Sequence, residues 1–316
     1  MTKVLITPRG FAKNGLEYVA EMEKVGIEVH YNDTGLPYTA EQFLALAKGC
    51  DGIIVGVDKM DASVLEQLPD LKVICKFGVG TDNIDLNYCK EHNIYVGRTV
   101  GSNSRSVAEQ VVAFMFADAK NLAYEFRSVK SGLWDKKQSI EIYDKTLGIV
   151  GFGAIGKIIA DYANGCGMHV LAYDAFPIKP EDAEKHHVIV TDFDTIVKTA
   201  DYITIHVPLL DSTRNMFGTE QFKAMKNTAC IINCARGGIV NEDELYDALK
   251  NGDIRSACFD VFTREPQSKS FNPEDFKLLT LDNFELTPHT AARTNEADVR
   301  TCQMSSEIII EHLRAL

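Results

Sequence analysis

No apolar run in these 316 residues approaches the length needed to cross a bilayer, so a spanning protein is not expected. The opening Met1-Thr-Lys-Val-Leu-Ile-Thr lacks the basic start and following apolar core of a signal peptide, which makes the cytoplasm the expected compartment. Dense basic runs are missing too. Lys and Arg number 33 against 45 Asp and Glu, a net charge of −12, which argues against nucleic acid or an anionic membrane surface as partner. A small anionic substrate stays open, because a few local cations and helix N-termini can hold one. There is no CxxC pair: the eight cysteines (50, 75, 89, 166, 230, 234, 258, 302) are scattered, mostly in apolar segments. Cys230 and Cys234 share one face of an apparent strand, but a structural zinc would need two more ligands. Buried, reduced thiols and no metal are the expectation. Internal repeats and low-complexity tracts are absent as well, so repeat architectures drop out. What remains is the composition of a soluble globular protein, 45% hydrophobic and 25% charged, and long enough for two domains.

The most informative stretch runs from Leu147 to Asp174. A strand-like Leu-Gly-Ile-Val leads to Gly151-Phe-Gly153-Ala-Ile-Gly156, then an amphipathic segment to Cys166, then a second strand His169–Tyr173 and Asp174. Each part has a physical job if a dinucleotide binds. Gly151 allows the tight turn, Gly153 lets a pyrophosphate approach the backbone, and Gly156 lets the helix pack closely on the sheet. The free N–H groups of the helix's first turn face the phosphates. Asp174, 23 positions after Gly151, can hydrogen-bond both ribose hydroxyls. A carboxylate there would repel the 2′-phosphate of NADP, and Ala175 and Phe176 offer no positive charge, so the cofactor read here is NAD.

Elsewhere short apolar runs alternate with helical spacing. Lys3–Ile6, Ile27–His30, Gly52–Val55, Lys72–Cys75 and Ile94–Val96 read as strands, separated by helices at Leu16–Lys24, Ala40–Ala47, Ala62–Gln67 and Asp85–Glu91, with Asp61 a candidate N-cap. One long helix is expected from about Ser102 to Lys130, its centre too apolar for a free surface and so buried between domains or against a second subunit. Later strands fall at Val188–Val190, Tyr202–Ile205, Cys230–Asn233, Ala257–Val261 and Phe284–Leu286. Helices follow at Asp192–Thr199, Glu220–Met225, Glu242–Lys250 and Glu296–Leu316. Such alternation implies α/β architecture with doubly wound parallel sheets.

Ligands of such sheets sit beyond the carboxyl ends of the strands. Three ionisable residues are expected there: Arg236 after the strand ending at Asn233, Glu265 after the one ending near Val261, and His289 after Phe284–Leu286. Singly, each reads as readily as a loop residue. Together they match hydride transfer to a carbonyl. A guanidinium fork holds the substrate carboxylate, an imidazole exchanges a proton with the oxygen, and a carboxylate keeps that imidazole charged and oriented.

With these residues in place the chain resembles the D-isomer-specific 2-hydroxyacid dehydrogenases over nearly its whole length. The resemblance rests on Phe77-Gly-Val-Gly80-Thr-Asp82-Asn-Ile-Asp85, Gly101 to Glu109, the Gly151 turn with Asp174, and His206-Val-Pro208-Leu. It continues through Asn233-Cys-Ala-Arg236-Gly-Gly-Ile-Val, Asp260-Val-Phe with Glu265-Pro, and Thr287-Pro-His289. It implies His289 as general acid/base, Glu265 as its partner, and Arg236 as carboxylate ligand, with backbone N–H groups at Val79 and Gly80 completing that pocket. For NAD it implies contacts at Gly151, Gly153, Ala154, Ile155, Gly156 and Asp174. His206, Val207 and Pro208 would lie on the adenosine side, Cys234 and Ala235 close by, and Asp260 at the nicotinamide carboxamide. The implied fold is a flavodoxin-like substrate domain, 1–98 plus 290–316, and a Rossmann NAD domain, 99–289, with a cleft between them. The apolar helix at Ser102–Lys130 resembles the arm through which family members form homodimers.

Gly101-Ser-Asn-Ser104 is closest to the phosphoglycerate dehydrogenase branch, and a short form without that branch's regulatory C-terminal domain is the expectation. Two departures stand out. Arg98 and Val100 replace the Asn and Pro common just before the conserved glycine. Gly56-Val-Asp58-Lys59 stands where that branch carries an arginine for the substrate phosphate, leaving Lys59, Lys76 or Arg98 as substitutes. The substrate class is thus a small anionic 2-hydroxy or 2-keto acid. A non-enzymatic NAD-sensing corepressor on the same scaffold is the alternative from another class, and formate or phosphite are alternative substrates that nothing in the sequence favours.

Overall fold

The computed structural model describes residues 2–314 except 267 and 269. It divides into two compact units, Met1–Asn103 with Arg293–Leu316, and Ser104–Ala292.

Unit 1 is built on five parallel strands: β1 (Thr2–Ile6), β2 (Ile27–Tyr31), β3 (Gly52–Val55), β4 (Val73–Lys76) and β5 (Tyr95–Arg98), in the order β2-β1-β3-β4-β5. Both faces are covered, so the strands read as continuous apolar runs whose alternate residues serve opposite cores. Leu5, Ile53, Val55 and Ile74 join Phe43 and Leu65 on one side. Val4, Ile6, Ile54, Val73 and Cys75 join Phe11, Met22, Cys302 and Ile309 on the other. The last two belong to the terminal helix Asn295–Arg314, which returns to this unit. Helix starts follow their capping residues: Thr39 and Gln42 form a reciprocal capping box, and Asp61 and Asp85 accept N–H groups of the turns they open.

Unit 2 carries seven parallel strands: β6 (Thr146–Val150), β7 (His169–Tyr173), β8 (Ile189–Val190), β9 (Tyr202–Ile205), β10 (Cys230–Asn233), β11 (Ser256–Phe259) and β12 (Phe284–Leu286). Their order is β12-β11-β10-β9-β6-β7-β8, so the direction of winding reverses between β6 and β9. That is the doubly wound dinucleotide-binding order with one added strand.

The expected long helix at Ser102–Lys130 is two helices, Ser104–Ala119 and Leu122–Lys130. Asn121 breaks it by taking a left-handed backbone (φ +52°), which Asn tolerates, and its amide donates to Gln138 O at 3.1 Å. The apolar centre of the first helix is buried inside unit 2 itself. Val107, Val111, Phe114 and Met115 pack with Leu147, Ile159 and Ala163. Short helices at Gly10–Asn14 and Pro180–Lys185 have no counterpart in the sequence reading.

The unit boundaries lie a few residues beyond those drawn from the sequence, for a hydrogen-bonding reason. Thr99 and Ser102 stay with unit 1, through Thr99 N to Gly78 O and Thr301 Oγ1 to Ser102 Oγ. Thr290 and Ala291 stay with unit 2, because both N–H groups donate to Asp260. Among the described residues no helix is long and apolar enough to cross a membrane.

Candidate active site

At the carboxyl end of β6 the chain turns through Gly151, whose φ is +102°; a Cβ there would lie 2.6 Å from the backbone of His206. Gly156 is equally constrained, since its Cβ would meet Gly151 O at 2.4 Å. Gly153 differs: nothing lies within 4 Å of where its Cβ would be. The two outer glycines are therefore required by close backbone approach, and the middle one leaves an open cradle. Helix Ala154–Gly165 starts there with no side-chain cap, so its first-turn N–H groups are presented to that opening. Asp174, at the end of β7, accepts Phe152 N at 2.7 Å and Phe176 N at 3.0 Å, which braces the turn.

Across the winding reversal, His206 Nε2 pairs with Thr204 Oγ1 at 2.7 Å, while its buried Nδ1 has no partner among the described residues. Burial pushes this imidazole down to about 3, so the ring is neutral. An open cradle, an uncapped helix and an orphaned buried nitrogen at one switch point fit a dinucleotide. Val207 follows, half-buried, and Pro208 is exposed.

The three expected catalytic side chains all leave strand ends of this sheet. After β10, Asn233 clamps its own turn, accepting Ala235 N at 3.0 Å and donating to Arg236 O at 2.9 Å. Arg236 Nη1 donates to Ala235 O at 2.8 Å. A Cβ on the next residue, Gly237, would lie 2.2 Å from the backbone of Phe262, so the Arg236 turn abuts the loop that runs on to Glu265. Cys234 is buried beside Asp260, and both burial and that charge push its thiol well up.

Glu265 and His289 meet. His289 Nδ1 lies 2.8 and 3.0 Å from the two Glu265 carboxylate oxygens. Nδ1 is then the donor and Nε2 is left for chemistry. His289 has a φ of +52°, rare outside glycine, and the loop is over-determined to hold it. Its N–H bonds both Asp260 O and Thr287 O at 2.9 Å. The Asp260 carboxylate, 2% exposed, accepts the Thr287 hydroxyl, Thr290 N at 2.9 Å and Ala291 N at 2.8 Å. These groups border a pocket of about 390 Å³, with Phe262, Leu286 and Pro288 supplying apolar wall. Another pocket, about 420 Å³, lies at the opposite, amino-terminal edge of the sheet around Phe116, Tyr143 and Cys166.

Val79 and Gly80 lie on unit 1, in the loop after β4. The sequence reading missed the supporting residues: Thr204, Asn233 and Thr287. Two of them had a local signal. Thr204 is two residues from His206, and Asn233 precedes Ala235 at the spacing of an Asx turn.

All eight cysteines are free, and seven are buried. The Sγ atoms of Cys230 and Cys258 and a carboxylate oxygen of Asp118 lie within 4.8 Å of one another. Cys258 sits on β11 rather than at Cys234. The Asp118 oxygens are already held by Tyr202 and Arg255, each at 2.8 Å, and by Ser256, so the group is a hydrogen-bonded core cluster.

Residues 112–291 match the family described as D-isomer specific 2-hydroxyacid dehydrogenase, NAD binding domain. The chain is 40% identical to D-3-phosphoglycerate dehydrogenase of Methanocaldococcus jannaschii over 99% of its own length and 58% of that protein's. It therefore spans little more than half of that relative. It is 38% identical to hydroxypyruvate reductase of Thermotoga maritima, covering 88% of this chain and 92% of the relative. Among solved structures, D-lactate dehydrogenase with NAD+ from Lactobacillus jensenii superposes with a TM-score of 0.80 at 29% identity, over 98% of this chain and 96% of that one.

Proposed function

The chain belongs to the D-isomer specific 2-hydroxyacid dehydrogenases, and from that premise we propose that it interconverts a D-2-hydroxy acid and its 2-keto acid with NAD. The observation that carries the reading is the paired contact of His289 Nδ1 with both oxygens of Glu265, on a loop fastened by Asp260. Bound NAD supplies or accepts the hydride. Arg236 grips the substrate carboxylate through its planar fork, with the Val79 and Gly80 N–H groups completing the pocket. His289 Nε2 delivers a proton to the carbonyl oxygen in reduction and removes it from the hydroxyl in oxidation. Glu265 holds the ring and balances its charge. The turn at Gly151–Gly156, with Ala154 and Ile155 N–H groups, holds the pyrophosphate, and Asp174 the ribose.

NADH oxidation with a panel of 2-keto acids, and NADPH as control, tests this reading. His289→Asn should lower kcat by about 10²- to 10⁴-fold, the usual share of a positioned general acid. Fluorescence titration should find NADH still bound. Near-normal turnover in that variant would remove His289 from the mechanism. Arg236→Lys should raise KM for the keto acid, because a point charge does not reproduce the fork. The same reading includes a homodimer, supported by the exposed apolar side chains of Phe126, Val129, Leu133 and Trp134.

A further inference from the structure

The relatives are named for two kinds of substrate, one phosphorylated and one not, and which of them this chain takes is a question that rests on the dehydrogenase reading above. In an open parallel sheet the ligand crevice lies beyond the carboxyl ends of the strands where the winding reverses. In unit 1 that point is between β1 and β3, which pair directly. Thr7 follows β1; Gly56, Val57 and Asp58 follow β3.

The Thr7 hydroxyl is buried, accepts Gly56 N at 3.2 Å and donates its one proton to Asp58 Oδ2. That bond is satisfied by a carboxylate acceptor. Among the described residues Asp58 Oδ1 has no hydrogen-bond partner, and the residue is only half-buried. The turn is fastened to the loop that carries Val79 and Gly80. Asn83 Nδ2 donates to the carbonyls of Gly56 and Asp58, and Met60 N donates to Asn83 O at 2.8 Å. The carboxylate thus belongs to the same wall as the proposed carboxylate pocket.

Arg98, exposed at the end of β5, lies two strands away from β3, while Lys76, Lys59 and Arg9 are directed at protein groups. Lys76 Nζ donates to Gly56 O and, at 2.7 Å, to Asn83 Oδ1. Lys59 pairs with Asp61, and Arg9 Nη1 donates to Gly35 O at 3.2 Å. A phosphate dianion entering here would meet a fixed negative charge. A substrate hydroxyl would meet an available acceptor.

We infer that Asp58 sets the substrate class, admitting unphosphorylated 2-keto acids with a hydroxyl on the next carbon and turning away their phosphate esters. The test compares hydroxypyruvate with phosphohydroxypyruvate in NADH oxidation by the whole protein and by Asp58→Asn and Asp58→Ala. Because like charges a few ångströms apart at a protein surface repel strongly, the wild type should favour hydroxypyruvate by about tenfold or more in kcat/KM. Asp58→Asn should narrow that gap by roughly tenfold, through KM for the phosphate ester. Each ratio is taken on one preparation, so incomplete folding of a variant cancels. Preference of the wild type for the ester, or a ratio unmoved in both variants, overturns the inference while leaving the dehydrogenase reading intact. Turnover of no keto acid overturns both.

Discussion

His206 and His289 stand at strand ends of one sheet, two imidazoles with opposite environments. His289 is half-exposed and faces a carboxylate; the His206 ring is buried with one nitrogen unpaired. Burial without a counter-charge favours the neutral ring, which is why His206 is pushed down to about 3. The sign of the consequence is fixed. Below pH ~6.5 the unfolded chain takes up a proton at this position that the folded chain refuses, so stability contributed here is lost as pH falls from ~6.5 toward ~3. Urea denaturation of wild type and His206→Asn between pH 7 and pH 4 should show the wild type losing ground by at most about 1.4 kcal/mol per pH unit below pH 6.5. Parallel curves for the two proteins would mean that the ring is solvated or paired. At the same scale, His289 and Glu265 were legible because each follows a strand. That His289 has a left-handed backbone was not, since Pro-His-Thr carries no local demand for it.

At the scale of elements, the glycine turn and its neighbours were legible almost completely. Strands β3, β7, β9, β10 and β12 fall where the apolar runs lie, and β3, β9 and β10 are buried along their whole length, which is what makes a parallel strand read as a continuous run. The long helix was misread for a definite reason: helical periodicity runs through Asn121, and only the left-handed turn there separates two helices. Close approach between elements yields a prediction. A Cβ on Gly156 would press on Gly151 O at 2.4 Å, backbone that cannot step aside. Gly156→Ala should therefore open the turn, weakening NADH binding by tenfold or more and lowering stability by about 1–3 kcal/mol, the usual cost of overpacking. Gly165, with nothing within 4 Å of its Cβ position, is the control, and Gly165→Ala should leave both nearly unchanged. Equal effects at the two sites would show that the close contact is not what matters.

For the whole molecule, the apolar surface proposed for a partner copy is the second half of the Ser102–Lys130 stretch and the segment after it. Ser104–Ala119 spends Val107, Val111, Phe114 and Met115 inside unit 2. The next helix and the segment after it expose Phe126 at 64%, Val129 at 52%, Leu133 at 57% and Trp134 at 82%. Sedimentation at micromolar concentration should find a dimer, and Phe126→Asp with Trp134→Ser should shift it to monomer while NADH still binds. A wild-type monomer under those conditions would end the dimer proposal. The sequence by itself determined the alternation of strands and helices, the dinucleotide turn and the residues at strand ends, because periodicity, glycine spacing and strand termini are local properties of a chain. Only the tertiary structure decided that Asp260 fastens the His289 loop, that the unit boundaries fall at 103 and 292, and that Thr7 meets Asp58. Those depend on which strands lie side by side, and pairing between distant segments leaves no mark on either segment alone.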